Sequence, residues 1–190
     1  MTMPEGIELR CSTALFRKGT VLLVHRTGTG LDYWVRPGGT PRETESMAAC
    51  ARRELAEETG LAAEPVRVAF VLESMEPGRG PRTVDLVFTV TGSAHGQTPE
   101  AREPGMQPSF VPLDELPDLD LRPPVAGHLP GLAAHGARRY APYLGNLWRP
   151  GPTINSTTIV DAFYTFAPSA SGSPEVRSVR RADRAPGALS

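Results

Sequence analysis

Apolar and β-branched residues crowd the stretch Leu9–Phe16 and return from Val21 to Val24, with the polar, glycine-bearing link Arg17-Lys18-Gly19-Thr20 between them. A link of that length and composition is a hairpin signal, so two neighbouring strands are predicted. A looser segment, Thr27–Asp32, precedes the apolar triplet Tyr33-Trp34-Val35, and the breaker Pro37-Gly38-Gly39 opens a polar stretch that ends near Glu45. From Thr44 to Thr59 the chain has neither Pro nor Gly and is rich in Ala, Glu, Arg and Leu. That composition predicts a helix, stopped at Gly60 where a left-handed cap costs least.

Beyond the helix, Val66–Leu72 and Val84–Val90 read as strands, joined through the loop Pro77-Gly78-Arg79-Gly80-Pro81. A Gly-, Pro- and Glu-rich connection, Gly92–Pro108, leads to the short apolar run Phe110-Val111. Leu113–Leu121 reads as a turn or short helix. Val125–Leu147 is expected as a second helix, weakened by Gly127, Pro130, Gly131 and Gly136. After Pro150 the composition shifts to Ser, Thr, Pro, Ala and Arg around one apolar island, Ile159–Phe166, so a mostly disordered tail over residues 150–190 is expected.

With 190 residues, 39% of them hydrophobic, the chain can bury one core and is too short for two ordinary domains and their linkers. A single catalytic domain over residues 1–149 is therefore expected. Twenty basic and 21 acidic residues give a net charge of -1 without a basic run, which argues against nucleic acid or a membrane surface as partner. Any nucleotide partner should be small. Cys11 and Cys50 lie far apart without metal-ligand spacing and are read as small core hydrophobes. The sequence has no basic leader and no apolar run near the ~20 residues of a membrane helix, so a soluble cytoplasmic protein is expected.

Chemistry concentrates between Gly39 and Leu61, GTPRETESMAACARRELAEETGL. Glu54, Glu57 and Glu58 stand at i, i+3 and i+4, which places them within roughly 100° of one another around a helix. Like charges at that spacing repel, and near a helix C-terminus the macrodipole also disfavours them. A cation would reverse both effects, and an all-oxygen donor set suits a hard ion such as Mg²⁺. The alternative is a solvated face of ion pairs between Arg53 and the glutamates. Pro37-Gly38-Gly39 weighs against it, because glycines allow a backbone carbonyl to approach and join the carboxylates. Glu45, eight residues before Arg53, is placed to pair with it across the loop-to-helix turn.

At Gly39, Glu45, Arg53, Glu54, Leu55, Glu57, Glu58, Gly60 and Leu61 the stretch matches G-x5-E-x7-R-E-U-x-E-E-x-G-U, with U a bulky apolar residue. It resembles the Nudix hydrolases (MutT-like) at every defined position, and the order of elements over Leu9–Leu147 is similar too. The resemblance implies an α/β fold, an α/β/α sandwich around a mixed sheet, and cleavage of a diphosphate bond in a nucleoside diphosphate-linked substrate such as a nucleoside triphosphate, nucleotide sugar, ADP-ribose or dinucleotide. It further implies that Glu57 and Glu58 ligate Mg²⁺ (or Mn²⁺), with Glu54 a further ligand or the general base. The Gly39 region would supply a carbonyl, and Arg53 and Glu45 would support.

Some members of that family recruit a later carboxylate, for which Glu100 and Glu103 lie in a suitable polar loop; both are equally read as surface glutamates. Arg26, at the end of the second strand beside His25, is read either as a phosphate contact or as an exposed strand-end residue. Tyr33 and Trp34 are read as packing anchors in preference to a base-stacking pair. The competing function is a nucleotide- or metabolite-binding regulatory module of the same fold that turns nothing over. Intact box carboxylates favour the hydrolase.

Overall fold

The structure, a computed structural model, describes residues 6–78, 81–91, 96–137 and 142–148. The chain forms β1 (Ile7–Ala14), β2 (Phe16–Arg17), β3 (Thr20–Gly28), β4 (Leu31–Val35), β5 (Gly38–Gly39), α1 (Met47–Thr59), β6 (Glu64–Ser74), β7 (Arg82–Thr91), β8 (Met106–Pro112), α2 (Leu129–His135) and β9 (Tyr143–Asn146). A single 3-10 turn at Leu116–Asp118 realises the expected turn between Leu113 and Leu121.

Two sheets result. The larger has the order β5-β1-β7-β6-β9, and it is mixed: β1 and β7 run parallel, as do β6 and β9, while β5 and β6 are antiparallel to β1 and β7 respectively. The smaller is wholly antiparallel around β3, which carries β8 along one edge and β2 and β4 along the other. The α/β class and the mixed sheet are as expected.

The run Leu9–Phe16 was expected as one strand, but the chain changes sheets inside it. β1 ends at Ala14, buried Leu15 bonds through its carbonyl to Leu22 N at 2.9 Å, and β2 pairs with β3. An apolar run shows which residues are buried and not which sheet they join. The link to β3 turns through Lys18 and Gly19, both at positive φ (47° and 78°), which suits a tight hairpin.

The principal helix starts at Met47 rather than Thr44, because Ser46 caps it. Ser46 keeps extended dihedrals and its hydroxyl accepts the Ala49 N–H at 3.2 Å. Gly60 ends the helix at φ 71°, its N–H bonded to Ala56 O. The second expected helix, Val125–Leu147, shrinks to seven residues, with Pro130 in the first turn and Gly136 at the C-cap. The residues beyond it include β9, whose backbone pairs with the free edge of β6. Gly136 thus ends the helix, and Tyr143–Asn146 pairs as a strand. The expected tail, 150–190, lies outside the described residues.

The main core lies between the sheets, where Val21, Leu23, Phe70, Leu72 and Val87 meet Leu129 and Leu132 of α2. On the other face of the larger sheet, α1 buries Cys50 and Ala51 against Cys11 and Phe88, and Leu55 against Leu15, Leu22, Leu61 and Ala63. Both cysteines are free and buried, as expected, and burial pushes the Cys50 thiol up to about 12. Among the described residues, no helix is long and apolar enough to cross a membrane.

Leu55 is fully buried and joins α1 to both sheets. Leu55→Ala is expected to destabilise the protein by about 2–5 kcal/mol, read as a lower urea midpoint at unchanged m-value.

Candidate active site

Three elements meet at one place: the C-terminal half of α1, the short strand β5, and the end of β1. β5 pairs with β1 through Cys11↔Gly39 and Ser12↔Gly38. No side chain fits at Gly38, and one at Gly39 would displace the Glu54 carboxylate. A Cβ on Gly38, whose φ is 154°, would stand 2.4 Å from the Cys11 carbonyl oxygen, and one on Gly39 would stand 2.4 Å from the Glu54 carboxylate. The absent side chains let α1 bring its carboxylates directly against the backbone of β5. Gly38 N–H donates to Glu58 Oε2 at 2.9 Å, and Gly39 O accepts from the Cys50 thiol at 3.5 Å.

Arg53 organises the exposed side of this cluster. Its Nε and Nη2 donate to the two oxygens of Glu45 at 2.8 Å each, a bidentate pair, so the coupling expected from their spacing is present. Nη1 donates to Glu54 at 2.6 Å and to Glu57 at 2.9 Å, and Arg42 reaches Glu57 at 3.4 Å. The hydrogen bonds from Arg53, helped by the Arg42 backbone N–H, hold the Glu45 carboxyl down at about 2, and Glu45 in return raises the pKa of Arg53.

The helical spacing of the glutamates translates into a gradient of burial. Glu57 is 44% exposed, Glu54 is 16% exposed at its side chain, and Glu58 is only 5% exposed. Glu58 shares the buried stripe of α1 with Leu55 and Thr59. Burial pushes its carboxyl up to about 7, opposed by the Gly38 N–H and by the positive charges of Arg10 and Arg26. Arg26, on β3 between Tyr33 and Met106 of the flanking strands, therefore acts on the cluster.

A second polar group adjoins the first. Asp85, fully buried in the middle of β7, accepts from Arg36 Nη2 at 2.7 Å and from the Ser12 hydroxyl at 2.8 Å, and Arg10 Nε lies 3.8 Å away. Arg10 also donates to the Arg36 carbonyl at 2.9 Å, two residues before Gly38. Burial lowers the pKa of Arg36 and the Asp85 charge opposes it. Asp85 and Arg10 border a cleft of about 180 Å³, lined among others by Arg122, Glu76, Val35 and Trp148. Arg10, whose charge acts on Glu58, is thus shared between the cleft and the carboxylate cluster. Sequence reading missed Arg10, Arg36, Asp85 and Arg122. A carboxylate interrupting the apolar run Val84-Asp85-Leu86-Val87 was the available signal.

Not every candidate joins the cluster. Glu100 and Glu103 have exposed side chains; their loop docks on the end of α1 through Glu100 N–H to Thr59 O at 2.9 Å. Tyr33 and Trp34 serve as packing surfaces. Trp34 stacks on His25 with centroids 4.5 Å apart, and Arg122 covers the Tyr33 ring.

Among the described residues, no three His, Cys, Asp or Glu side chains already converge on a common point. Arg53 holds Glu54 and Glu57 apart from Glu58. The donor set nevertheless fits a hard divalent cation: it is all oxygen, and Glu54 lies in the space left by the missing Gly39 side chain. A buried carboxyl held up to about 7 is also a group that a nearby cation would ionise.

Comparison with known proteins agrees with this arrangement. The family described as NUDIX domain matches residues 10–132. The oxidized purine nucleoside triphosphate hydrolase of Mus musculus is 32% identical over 104 residues, covering 54% of this chain and 64% of that protein. The chain therefore spans less than two thirds of that relative. The crystal structure of a MutT NUDIX hydrolase from Burkholderia pseudomallei superposes with a TM-score of 0.51 at 26% identity, over 58% of this chain and 86% of that one. The NUDIX domain of Shewanella oneidensis NrtR, solved in complex with ADP ribose, gives a TM-score of 0.52 at 25% identity, over 62% and 80%.

Two outcomes follow from the buried groups. In metal-free protein, Glu58 binds its proton more tightly folded than unfolded, so the wild type loses stability as pH rises from about 4.5 through the folded value of about 7. Glu58→Gln should therefore stabilise the fold relative to wild type at pH 8 and by less at pH 5; an equal difference at both pH values would contradict the burial of this carboxyl. Asp85→Ala leaves Arg36 buried without its counter-ion and is expected to cost about 3–5 kcal/mol. Ser12→Ala removes one neutral donor and should cost about 1 kcal/mol in the same denaturation assay.

Proposed function

Because the chain belongs to the NUDIX domain family, we propose that it is a divalent-cation-dependent hydrolase of a diphosphate bond in a nucleoside diphosphate-linked substrate. The observation that carries this reading is that α1 brings Glu54 and Glu58 against the Gly38-Gly39 backbone, with Glu57 joined to Glu54 through Arg53. In this reading Glu57 and Glu58 hold the cation, which is Mg²⁺ or Mn²⁺, with the Gly39 carbonyl beside them. Glu54 is a further ligand or the base. When bound, the cation would supply charge neutralisation at the phosphate oxygens and an acidified water.

The chain's own residues supply the remainder. Hydrolysis joins a water oxygen to one phosphorus, breaks that phosphorus's bond to the bridging oxygen, and needs an acceptor for the water's proton; carboxylates of this cluster are the acceptors at hand. Arg53 and Glu45 act as positioning residues, since their bidentate pair fixes the guanidinium that holds Glu54 and Glu57. Arg26 and Arg10 lend positive charge where a phosphate would lie.

In this reading the cleft beside Arg10 receives part of a small substrate. Val35 and Trp148 offer apolar surface, and Arg10, Arg122 and Glu76 offer donors and an acceptor. A nucleoside triphosphate, a nucleotide sugar, ADP-ribose or a dinucleotide each has such a part. The relative from Mus musculus is named for oxidized purine nucleoside triphosphates, which makes them the first substrates to test. The net charge of -1 supports a small substrate over a nucleic-acid polymer.

Release of phosphate or pyrophosphate from a panel of these compounds tests the proposal. Activity should require Mg²⁺ or Mn²⁺, vanish in EDTA, and fall by about 100-fold or more in Glu57→Gln and Glu58→Gln without lowering of the thermal midpoint. Full turnover in both variants, or a rate indifferent to EDTA, would overturn the ligand assignment. Silence across the panel from folded protein that binds Mg²⁺ would favour a binding module.

A further inference from the structure

Among the described residues, α1 covers the outer face of the larger sheet at its β1 end and leaves Val66, Val68 and Tyr143 exposed. In the row Cys11, Leu86, Val71 and Tyr143, aligned by the strand registers, α1 buries the Cys11 end, while Tyr143 is exposed. The next row, Thr13, Phe88 and Val68, likewise ends exposed at Val68. An apolar strip therefore runs down β6 and β9 beside α1. At the same place the sheet has an open edge: β9 is the last strand in the order, and its outer side has no partner among the described residues. An unpaired edge beside exposed apolar residues is a site that proteins normally cover.

The chain itself leaves from this edge. Trp148, just past β9, is held by its indole N–H to the Ser74 hydroxyl at 2.7 Å and by its backbone N–H to Asn146 Oδ1 at 3.3 Å. Eleven residues further on comes Ile159-Val160-Asp161-Ala162-Phe163-Tyr164-Thr165-Phe166, which contains no Gly, Pro, Lys or Arg. Its even positions, Val160, Ala162, Tyr164 and Phe166, are all apolar or aromatic, and both polar residues, Asp161 and Thr165, fall on odd ones, which suits a strand with one wholly apolar face and one mixed face. A connection of that length reaches at most about 36–40 Å, enough to reverse and return along a strand only about 13 Å long.

We propose that Ile159–Phe166 returns to pair with the open edge of β9, as a further strand of the larger sheet, and sets its apolar side next to Tyr143 on the outer face. The occupant is this chain's own segment. A second copy is the rival occupant, since the same edge would accept the same segment from another molecule. The pairing covers the edge and extends the apolar strip beyond β9, on the face that α1 shares.

Hydrogen exchange on the full chain, followed by mass spectrometry with size-exclusion at each concentration, tests this. The island's amides should exchange about 100-fold or more slowly than the same segment as a free peptide, independently of protein concentration, in monomeric protein. Ala162→Pro should abolish that protection and speed exchange in Tyr143–Asn146. Exchange of the island at the free-peptide rate would overturn the proposal. Protection that appears only as dimer forms would overturn it in favour of the second copy. Hydrolytic turnover is read in parallel, so failure of this pairing is separable from failure of the proposed activity.

Discussion

The close approach of α1 to the Gly38-Gly39 backbone is the constraint on which the site rests. A methyl group at either glycine would collide with the Cys11 carbonyl or the Glu54 carboxylate at 2.4 Å. Because the backbone is bare there, a helix can press acidic side chains against a strand without a layer of side chains between them. The cost is a set of like charges close together, one of them almost wholly buried. The protein offsets it with Arg53, which bonds Glu45, Glu54 and Glu57 at once, and with the Gly38 N–H on Glu58.

That arrangement is anchored from below by a second buried charge pair. Arg36 and Asp85 are each nearly inaccessible, and such a pair adds little net stability because desolvation consumes most of its attraction. Its effect is positional. It ties the residue just before Pro37-Gly38-Gly39 to the middle of β7, and through Arg10 it joins the carboxylate cluster to the cleft. The glycine strand is thus held from both sides, by α1 and by β7, so the carboxylates and the cleft keep a constant relation.

Much of the site was legible before any coordinates. The interval between Glu45 and Arg53 anticipated their bidentate pair, because a residue just ahead of a capped helix and one two turns inside it fall on the same side. The i, i+3, i+4 spacing placed Glu54, Glu57 and Glu58 together. Helix geometry alone did not say that Glu58 would point inward and Glu57 outward; that depends on where Leu55 and Cys50 find apolar partners. Arg10 and Arg36 gave no local signal, since their partner Asp85 lies 49 residues or more away in sequence.

The amino-acid sequence by itself determined the elements and their punctuation: α1 between Ser46 and Gly60, the bare glycine strand, and the carboxylate spacing. These depend on short-range chemistry, on caps, left-handed dihedrals and a 3.6-residue period. Only the tertiary structure decided that Leu9–Phe16 is shared between two sheets, that Val125–Leu147 yields a short helix and an edge strand, and that Asp85 and Arg36 meet beside the glutamates. Those outcomes depend on which distant strand edge is free to pair and which buried charge can find its opposite, and a linear pattern carries neither.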